Sequence, residues 1–263
     1  GGVILYEKDG PTQSRPRNIE SPDQVRALVT AQKTHSNKKL FVAIDQEGGM
    51  VNRLKSSYGF PATVTAQYLG KLNNEDSTRY YASRMASTLN DLGINLNFAP
   101  VTDLNINPQS PVIGAIERSF SANPDSVVFH AGIFIEEHNK LGILNSCKHF
   151  PGHGSAASDS HLGLTDVTNT WKEIELEPYR QLIKSEKCRL IMSAHVFNQK
   201  LDPDYPARLS KKILTGILRE QLNFKGVIIS DAMEMGAITE NYGTKEAIEK
   251  AINAGCDLLL FSN

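Results

Sequence analysis

The run Lys148-His149-Phe150-Pro151-Gly152-His153-Gly154, with Asp159-Ser160-His161 close behind, puts three histidines, a lysine and an aspartate within 14 residues. Such a set can move protons, grip hydroxyl groups or hold a metal. His149 and His153 are four apart, as two ligands on one helix face would be, but Pro151 and Gly152 break any helix between them. No glutamate completes an HExxH pattern, and Lys148 would repel a cation. The segment predicts neither a metal site nor a cofactor. From Gly152 to Ser158 every residue except His153 is small, so the loop can carry Asp159 and His161 over a pocket. Asp159, two residues before His161, is spaced to orient the imidazole and raise its basicity. An idle surface loop would have no use for that Asp-x-His end.

Other chemistry-bearing residues fall at one recurring place, directly after a short apolar run. Leu40–Ile44 leads into Asp45-Gln46-Glu47-Gly48-Gly49, Ile143–Cys147 into Lys148-His149, Leu190–Ala194 into His195, and Val227–Ser230 into Asp231. In parallel-sheet folds the carboxyl ends of the strands form one mouth, and chemistry sits there. Each residue also has a plain role open to it. Asp45 could cap its loop, Glu47 could pair with Arg53, and His195 could be a hydrogen-bonded core histidine. Their convergence is what argues for a site.

The elements that must position them alternate. Strand candidates are Val3–Tyr6, Leu40–Asp45, Ile94–Pro100, Ile143–Phe150, Leu190–Val196, Val227–Asp231 and Asp257–Phe261, apolar on both faces as buried parallel strands are. Helices announce themselves between these runs. Ser21-Pro22 and Asn123-Pro124 read as an N-cap followed by a first-turn proline. Thr170 and Glu173 have capping-box spacing. Ser210 precedes Ile213, Leu214, Ile217 and Leu218, and Thr244 opens a stretch ended by Gly255. Repeated strand–helix units predict an α/β fold, a TIM-like (β/α)8 barrel clipped at one or both ends, because seven strands are counted where eight are needed. A doubly wound open sheet is the competitor. It is weakened because no glycine-rich dinucleotide loop or P-loop follows a strand.

The chain has 263 residues, 28 basic against 29 acidic, for a net charge of −1. That balance gives no electrostatic footprint for nucleic acid or for an anionic membrane surface. No apolar run reaches the roughly 18 residues of a membrane span. Three cysteines, Cys147, Cys188 and Cys256, are too few and odd in number for a disulfide framework and favour a reducing compartment.

At the Lys148–His161 segment the chain resembles glycoside hydrolase family 3, in its bacterial β-N-acetylhexosaminidase (NagZ-type) branch. The branch signature is Lys-His-Phe-Pro-Gly-His-Gly, four variable residues, then Asp-Ser/Thr-His, and it is matched in full. Further matches are Asp45-Gln46-Glu47-Gly48-Gly49 with Arg53, Phe98-Ala99-Pro100-Val101-x-Asp103, Glu117-Arg118-Ser119-Phe120 and Ser230-Asp231-Ala232-Met233-x-Met235, all in family order. The resemblance implies a retaining mechanism with Asp231 as nucleophile and His161, held by Asp159, as general acid/base. It implies that Asp45, Arg53, Arg118, Lys148 and His149 bind a GlcNAc unit. Glu234 competes with Asp231 as nucleophile by proximity.

The implied activity is removal of terminal GlcNAc from muropeptides in peptidoglycan recycling, by a cytoplasmic monomer with no nucleic-acid or membrane partner. Family members elsewhere are exported or lipid-anchored. A family 3 β-glucosidase, a GlcNAc phosphorylase and a catalytically silent sugar-binding barrel are the alternatives. The glucosidase branches lack the Pro-Gly-His-Gly loop with its Asp-x-His. By the family pattern residues 1–263 form one catalytic barrel domain, cut from a longer chain.

Overall fold

The computed structural model describes residues 1–8, 16–158, 165–233 and 243–262. Its frame is a six-stranded sheet: β1 (Gly2–Leu5), β2 (Phe41–Ile44), β3 (Leu96–Asn97), β4 (Leu144–Phe150), β5 (Leu190–Ser193) and β6 (Val227–Ser230), adjacent in that order. Every pairing within it is parallel. The connections carry helices α1 (Pro22–His35), α2 (Ala66–Leu72), α3 (Glu75–Asp91), α4 (Pro124–Lys140) and α5 (Glu177–Lys184), then a π-helix (Lys212–Gln221) and α6 (Thr244–Ala254).

Both faces of the sheet are buried. On β2, Val42 and Ile44 join an outer cluster while Ala43 faces inward; on β5, Ile191 points out while Leu190 and Met192 point in. Strand alternation across two apolar environments produces the unbroken Val/Ile/Leu runs. The inner cluster joins Ile4, Ala43, Leu96, Phe98, Leu144, Leu190, Met192, Ile229 and Leu260, residues from all six strands and the segment after α6. A flat sheet with strands about 4.8 Å apart would keep β1 and β6 far from a common cluster. The sheet is therefore curled, as in part of a barrel wall. A cavity of about 460 Å³ separates Gly1–Ile4 from Leu258–Ser262, and Arg17 Nη1 donates to the Ser262 carbonyl (2.7 Å) beside it.

Six of the seven expected strands are present. The run 257–261 lies alongside β6, with Ser230 N donating to Leu258 O (3.0 Å) and Met233 N to Leu260 O (2.9 Å), but forms only a single ladder bridge, Leu258 to Ile229. The run Ile94–Pro100 is reduced to two ladder residues. Phe98 N donates to Ile44 O and Ser146 N to Ala99 O, Pro100 has no N–H to offer, and pairing resumes at Val101, which bridges Lys148.

Helix starts follow local chemistry. Ser21 Oγ accepts from Gln24 N (3.2 Å), Asn123 Oδ1 from Asp125 N (2.8 Å) and Ser210 Oγ from Ile213 N (3.1 Å). The capping box expected at Thr170/Glu173 does not form; two residues later Glu175 Oε1 accepts from Lys172 N at 3.3 Å, and Glu175 N donates to the Lys172 carbonyl. Thr170 instead turns back on the Val167 carbonyl. Among the described residues no helix is long and apolar enough to cross a membrane.

Candidate active site

Asp45 leaves the carboxyl end of β2, and the chain then reverses in a short hairpin, Gln46–Gly48 against Val51–Asn52. Gln46 locks that hairpin: its Oε1 accepts from Arg53 N (3.0 Å) and Leu54 N (3.1 Å), and its Nε2 donates to Asn52 Oδ1. Gly48 has φ +101° and stands so close to the Val64 carbonyl that no Cβ fits. Glu47 and Arg53 are thereby turned to the same side as Asp45.

Lys148, on β4 and only 2% exposed, places Nζ 2.8 Å from Asp45 Oδ1 and 2.7 Å from Glu47 Oε1. Burial would discharge its ammonium, yet the two carboxylates hold its pKa above the ordinary lysine value. Arg118 clamps Glu47 with both prongs, Nε to Oε2 and Nη2 to Oε1 at 2.7 Å each, and donates from Nη1 to the Val112 carbonyl. Burial would raise the Glu47 carboxyl, but Arg118 and Lys148 override that and hold it far below the carboxylate range. Glu47 therefore pairs with Arg118 and Lys148, and not with Arg53 as its spacing suggested. Arg53 sits 3.9 Å from Asp45 instead. Asp45, tied to Lys148, is no simple loop cap.

His149 is fixed from both sides. Its Nδ1 lies 2.6 Å from Asp103 Oδ2 and its Nε2 3.2 Å from Arg118 Nη2. Arginine can only donate, so Nε2 accepts and Nδ1 carries the proton given to Asp103. Asp103 is fully buried and also accepts from the backbone N–H groups of His149 (3.2 Å) and His153 (2.8 Å). Burial would raise its carboxyl, but the facing histidines and these hydrogen bonds hold it low. His153 is buried, which brings its pKa down to about 4, so its ring is neutral near pH 7. The peptide bonds Lys148–His149 and Phe150–Pro151 are cis.

Asp231 follows β6 directly. Its Oδ1 accepts from Ala232 N (2.7 Å), and its Oδ2 lies 3.3 Å from Nε2 of the buried His195. Burial works against ionisation here too, but His195 and the Ala232 N–H leave the carboxyl well below its usual range. Lys148 and Arg118 line the same cavity but are paired with other carboxylates, Lys148 with Asp45 and Glu47 and Arg118 with Glu47, and His195 stands at Asp231. Arg208, fully buried, donates from Nη1 to the Ala232 carbonyl (2.8 Å) and stands 3.0 Å from His195 Nε2.

Asp45, Arg53, Arg118, Lys148, His149 and Asp231 line one cavity of about 200 Å³ at the carboxyl ends of the strands, with Val51, Val112 and Met192 as apolar wall. All five expected sugar ligands and the expected nucleophile thus share a pocket. Asp159, His161 and Glu234 lie outside the described residues. Five side chains in or under the site have no role assigned to them by the sequence: Glu47, Asp103, His153, His195 and Arg208. Glu47 and His195 are visible as strand-end polar residues, His153 in the histidine-rich run and Asp103 in the family match. Arg208, inside a short helical turn, carries no spacing signal.

Over residues 1–263 the chain matches the model of the glycosyl hydrolase family 3 N terminal domain. A protein of Tolumonas auensis named "Beta-hexosaminidase" is 39% identical over 268 residues, covering 100% of this chain and 75% of that protein. "Beta-hexosaminidase A" of Pseudoalteromonas piscicida is 35% identical, covering 99% of this chain and 45% of its own length. NagZ from Neisseria gonorrhoeae, solved in complex with N-trifluoroacetyl-D-glucosamine, superposes with a TM-score of 0.86 at 33% identity, over 100% of this chain and 74% of that one. A family 3 β-N-acetylglucosaminidase from Paenibacillus sp. gives a TM-score of 0.88 at 35% identity, and this chain spans 49% of its length. By match along its whole length and by identity to these relatives, the chain belongs to glycosyl hydrolase family 3, and it is a glycoside hydrolase.

Proposed function

We propose that the protein is a retaining exo-β-N-acetylglucosaminidase that releases terminal GlcNAc from peptidoglycan fragments, with residues 1–263 acting as one domain on a (β/α)8 barrel plan. Asp231 carries the reading: an ionised carboxylate at a strand end, open to a cavity whose other wall is Asp45, Arg53, Arg118, Lys148 and His149. Lys148 keeps one ammonium proton beyond those given to Asp45 and Glu47, and carboxylate and ammonium together suit adjacent sugar hydroxyls. A cavity of about 200 Å³ is smaller than drug-sized pockets and suits one sugar ring, which is what exo cleavage requires. Relatives named as hexosaminidases, and a neighbour solved with an N-acylated glucosamine, support the N-acetyl sugar.

In this mechanism an Asp231 oxygen attacks the anomeric carbon while His161 gives its proton to the departing glycosidic oxygen. The aglycone leaves and the sugar stays esterified to Asp231. His161, now neutral, takes a proton from water, whose oxygen displaces Asp231 from the anomeric carbon. Two inversions give net retention. An imidazole titrating near ~6.5 serves both steps, and Asp159 fixes its tautomer. No metal or cofactor enters. Three buried, unpaired cysteines fit the reducing cytoplasm, where we place the protein as a monomer.

The test is hydrolysis of 4-nitrophenyl N-acetyl-β-D-glucosaminide by wild type, Asp231→Ala and His161→Ala, with the β-glucoside as control. Turnover of the N-acetyl sugar should vanish in Asp231→Ala. His161→Ala should lose less on this activated leaving group than on a natural disaccharide. Preference for the glucoside would overturn the sugar assignment, and GlcNAc-1-phosphate formed in phosphate buffer would make the enzyme a phosphorylase.

A further inference from the structure

Asp231 is held by two groups, and one guanidinium nitrogen touches both. Ala232 gives its N–H to Oδ1 (2.7 Å), and its carbonyl receives Arg208 Nη1 (2.8 Å). His195 presents Nε2 to Oδ2 (3.3 Å), and the same Nε2 lies 3.0 Å from Arg208 Nη1. Nη1 has two protons, one for each of these neighbours. Arg208 is among the largest fully buried side chains described, on the short turn Ala207–Leu209 between β5 and the π-helix. Taking a guanidinium out of water is costly, and stability alone rarely requires it.

We propose that Arg208 is a positioning residue for the Asp231 carboxylate, acting through the His195 imidazole and the Ala232 carbonyl. The proposal rests on the reading of Asp231 as nucleophile. Nε2 has one lone-pair or proton position. If it accepts from Arg208, it has no proton for Oδ2, and Arg208 reaches the carboxylate through the Ala232 peptide, whose N–H holds Oδ1. If it is protonated, it donates to Oδ2, and Arg208 Nη1 keeps its bond to the Ala232 carbonyl. In both arrangements Arg208 fixes the Ala232 peptide, and its guanidinium stands against the edge of the His195 ring that faces Asp231. The carboxylate is thus held on one side, and its attacking lone pair stays aimed at the cavity. Such positioning acts on the chemical step, where small misplacement is costly, and leaves sugar affinity to the opposite wall.

Steady-state kinetics of the full-length protein on 4-nitrophenyl N-acetyl-β-D-glucosaminide test this, with thermal unfolding run on each variant. Arg208→Met should lower kcat about 10- to 100-fold, the scale of a lost charge-assisted hydrogen bond, with KM within about threefold. Arg208→Lys should recover part of that loss. His195→Phe should show the same pattern, and the double variant should lose less than the product of the two single losses, because the two residues share one of the routes to Asp231. Wild-type kcat in Arg208→Met, strictly additive losses, or a lowered Tm with unchanged kcat per folded molecule would each overturn the proposal. If Arg208→Met does not fold, Arg208→Lys decides, since wild-type kcat there overturns it and reduced kcat at constant KM supports it. Asp231→Ala separates the two levels. Full activity in that variant refutes the nucleophile, whereas its inactivity beside fully active Arg208 variants refutes only the positioning role.

Discussion

Lys148 shares its ammonium between two carboxylates, Asp45 and Glu47, in a site where it has almost no contact with solvent. Lys148→Met leaves both acids facing each other with only Arg53 and Arg118 to compensate. Removing one partner of a buried ionic cluster costs about 3–5 kcal/mol, which urea unfolding would register. Sugar turnover should be lost with it. Asp103 makes a different prediction. Asp103→Asn replaces an oxygen that accepts from His149 and His153 with an amide that donates. Either His149 turns or a buried donor goes unmatched, at about 1–3 kcal/mol. Sugar affinity should fall because the His149 ring, positioned between Asp103 and Arg118, loses its anchor. KM rising several-fold with a folded protein is the outcome to look for; unchanged KM would show that His149 does not meet the substrate.

At the scale of elements, three glycines separate strain from collision. Gly142 closes α4 at φ +71° with nothing near a would-be Cβ, so Gly142→Ala should cost only the left-handed penalty of about 1–2 kcal/mol. Gly48→Ala adds a clash with the Val64 carbonyl in the hairpin that aims Glu47, and should cost more and lower activity as well. In Gly154→Ala the new Cβ would overlap the Leu104 carbonyl. That change should displace the loop leading to Asp159 and His161 and cost about 3 kcal/mol or more. Denaturant midpoints should rank Gly142→Ala as least damaging and Gly154→Ala as most. The elements also differ in how openly they declare themselves. Caps at Ser21, Asn123 and Ser210 are side chains bonding two or three residues away, so local spacing reveals them. Helix α3 escaped notice because its buried face is Thr78, Ala82, Met85, Ala86 and Leu89, small and polar residues among the apolar ones.

At the scale of the whole molecule, buried titrating groups set opposing slopes of stability with pH. Burial holds His130 below its ordinary pKa and brings His138 and His153 down to about 4. The unfolded chain binds protons near ~6.5 that the native rings refuse, so stability falls as pH drops from there toward 4. Glu175 works the other way. Burial under the Gly152–Ser155 loop pushes its carboxyl up to about 7, so the native state keeps a proton that the unfolded state has already released. Its contribution is lost as pH rises through 7. Below ~6.5 three histidines outweigh one glutamate, by about 1.4 kcal/mol per pH unit for each proton in excess. Stability should therefore rise from pH 4.5 through ~6.5 and level off above about 7, where the histidine and Glu175 slopes nearly cancel, measurable as the urea midpoint from pH 4.5 to 8. Glu175→Gln removes the opposing slope and should steepen the rise between about pH 5 and 7; an unchanged profile would show Glu175 ionised in the native protein.

What the sequence determined by itself is whatever depends on near neighbours in the chain. Strand-then-helix alternation follows from residue periodicity, helix starts from caps, and the polar residue after each apolar run from the parallel-sheet rule. Those features were enough to place Asp45, Lys148, His149 and Asp231 at one mouth, and they lie there together. Only the tertiary structure decided who pairs with whom. Glu47 meets Arg118 across 71 residues, Lys148 meets Asp45 across 103, and His149 meets Asp103 across 46. Such pairings arise when a curled sheet brings separate strand ends to one point, where burial forces every charge to find an opposite charge or a hydrogen bond. Local spacing suggests Arg53 for Glu47. The fold chose Arg118, because partnership inside a protein is set by distance in space and by the cost of leaving a charge alone.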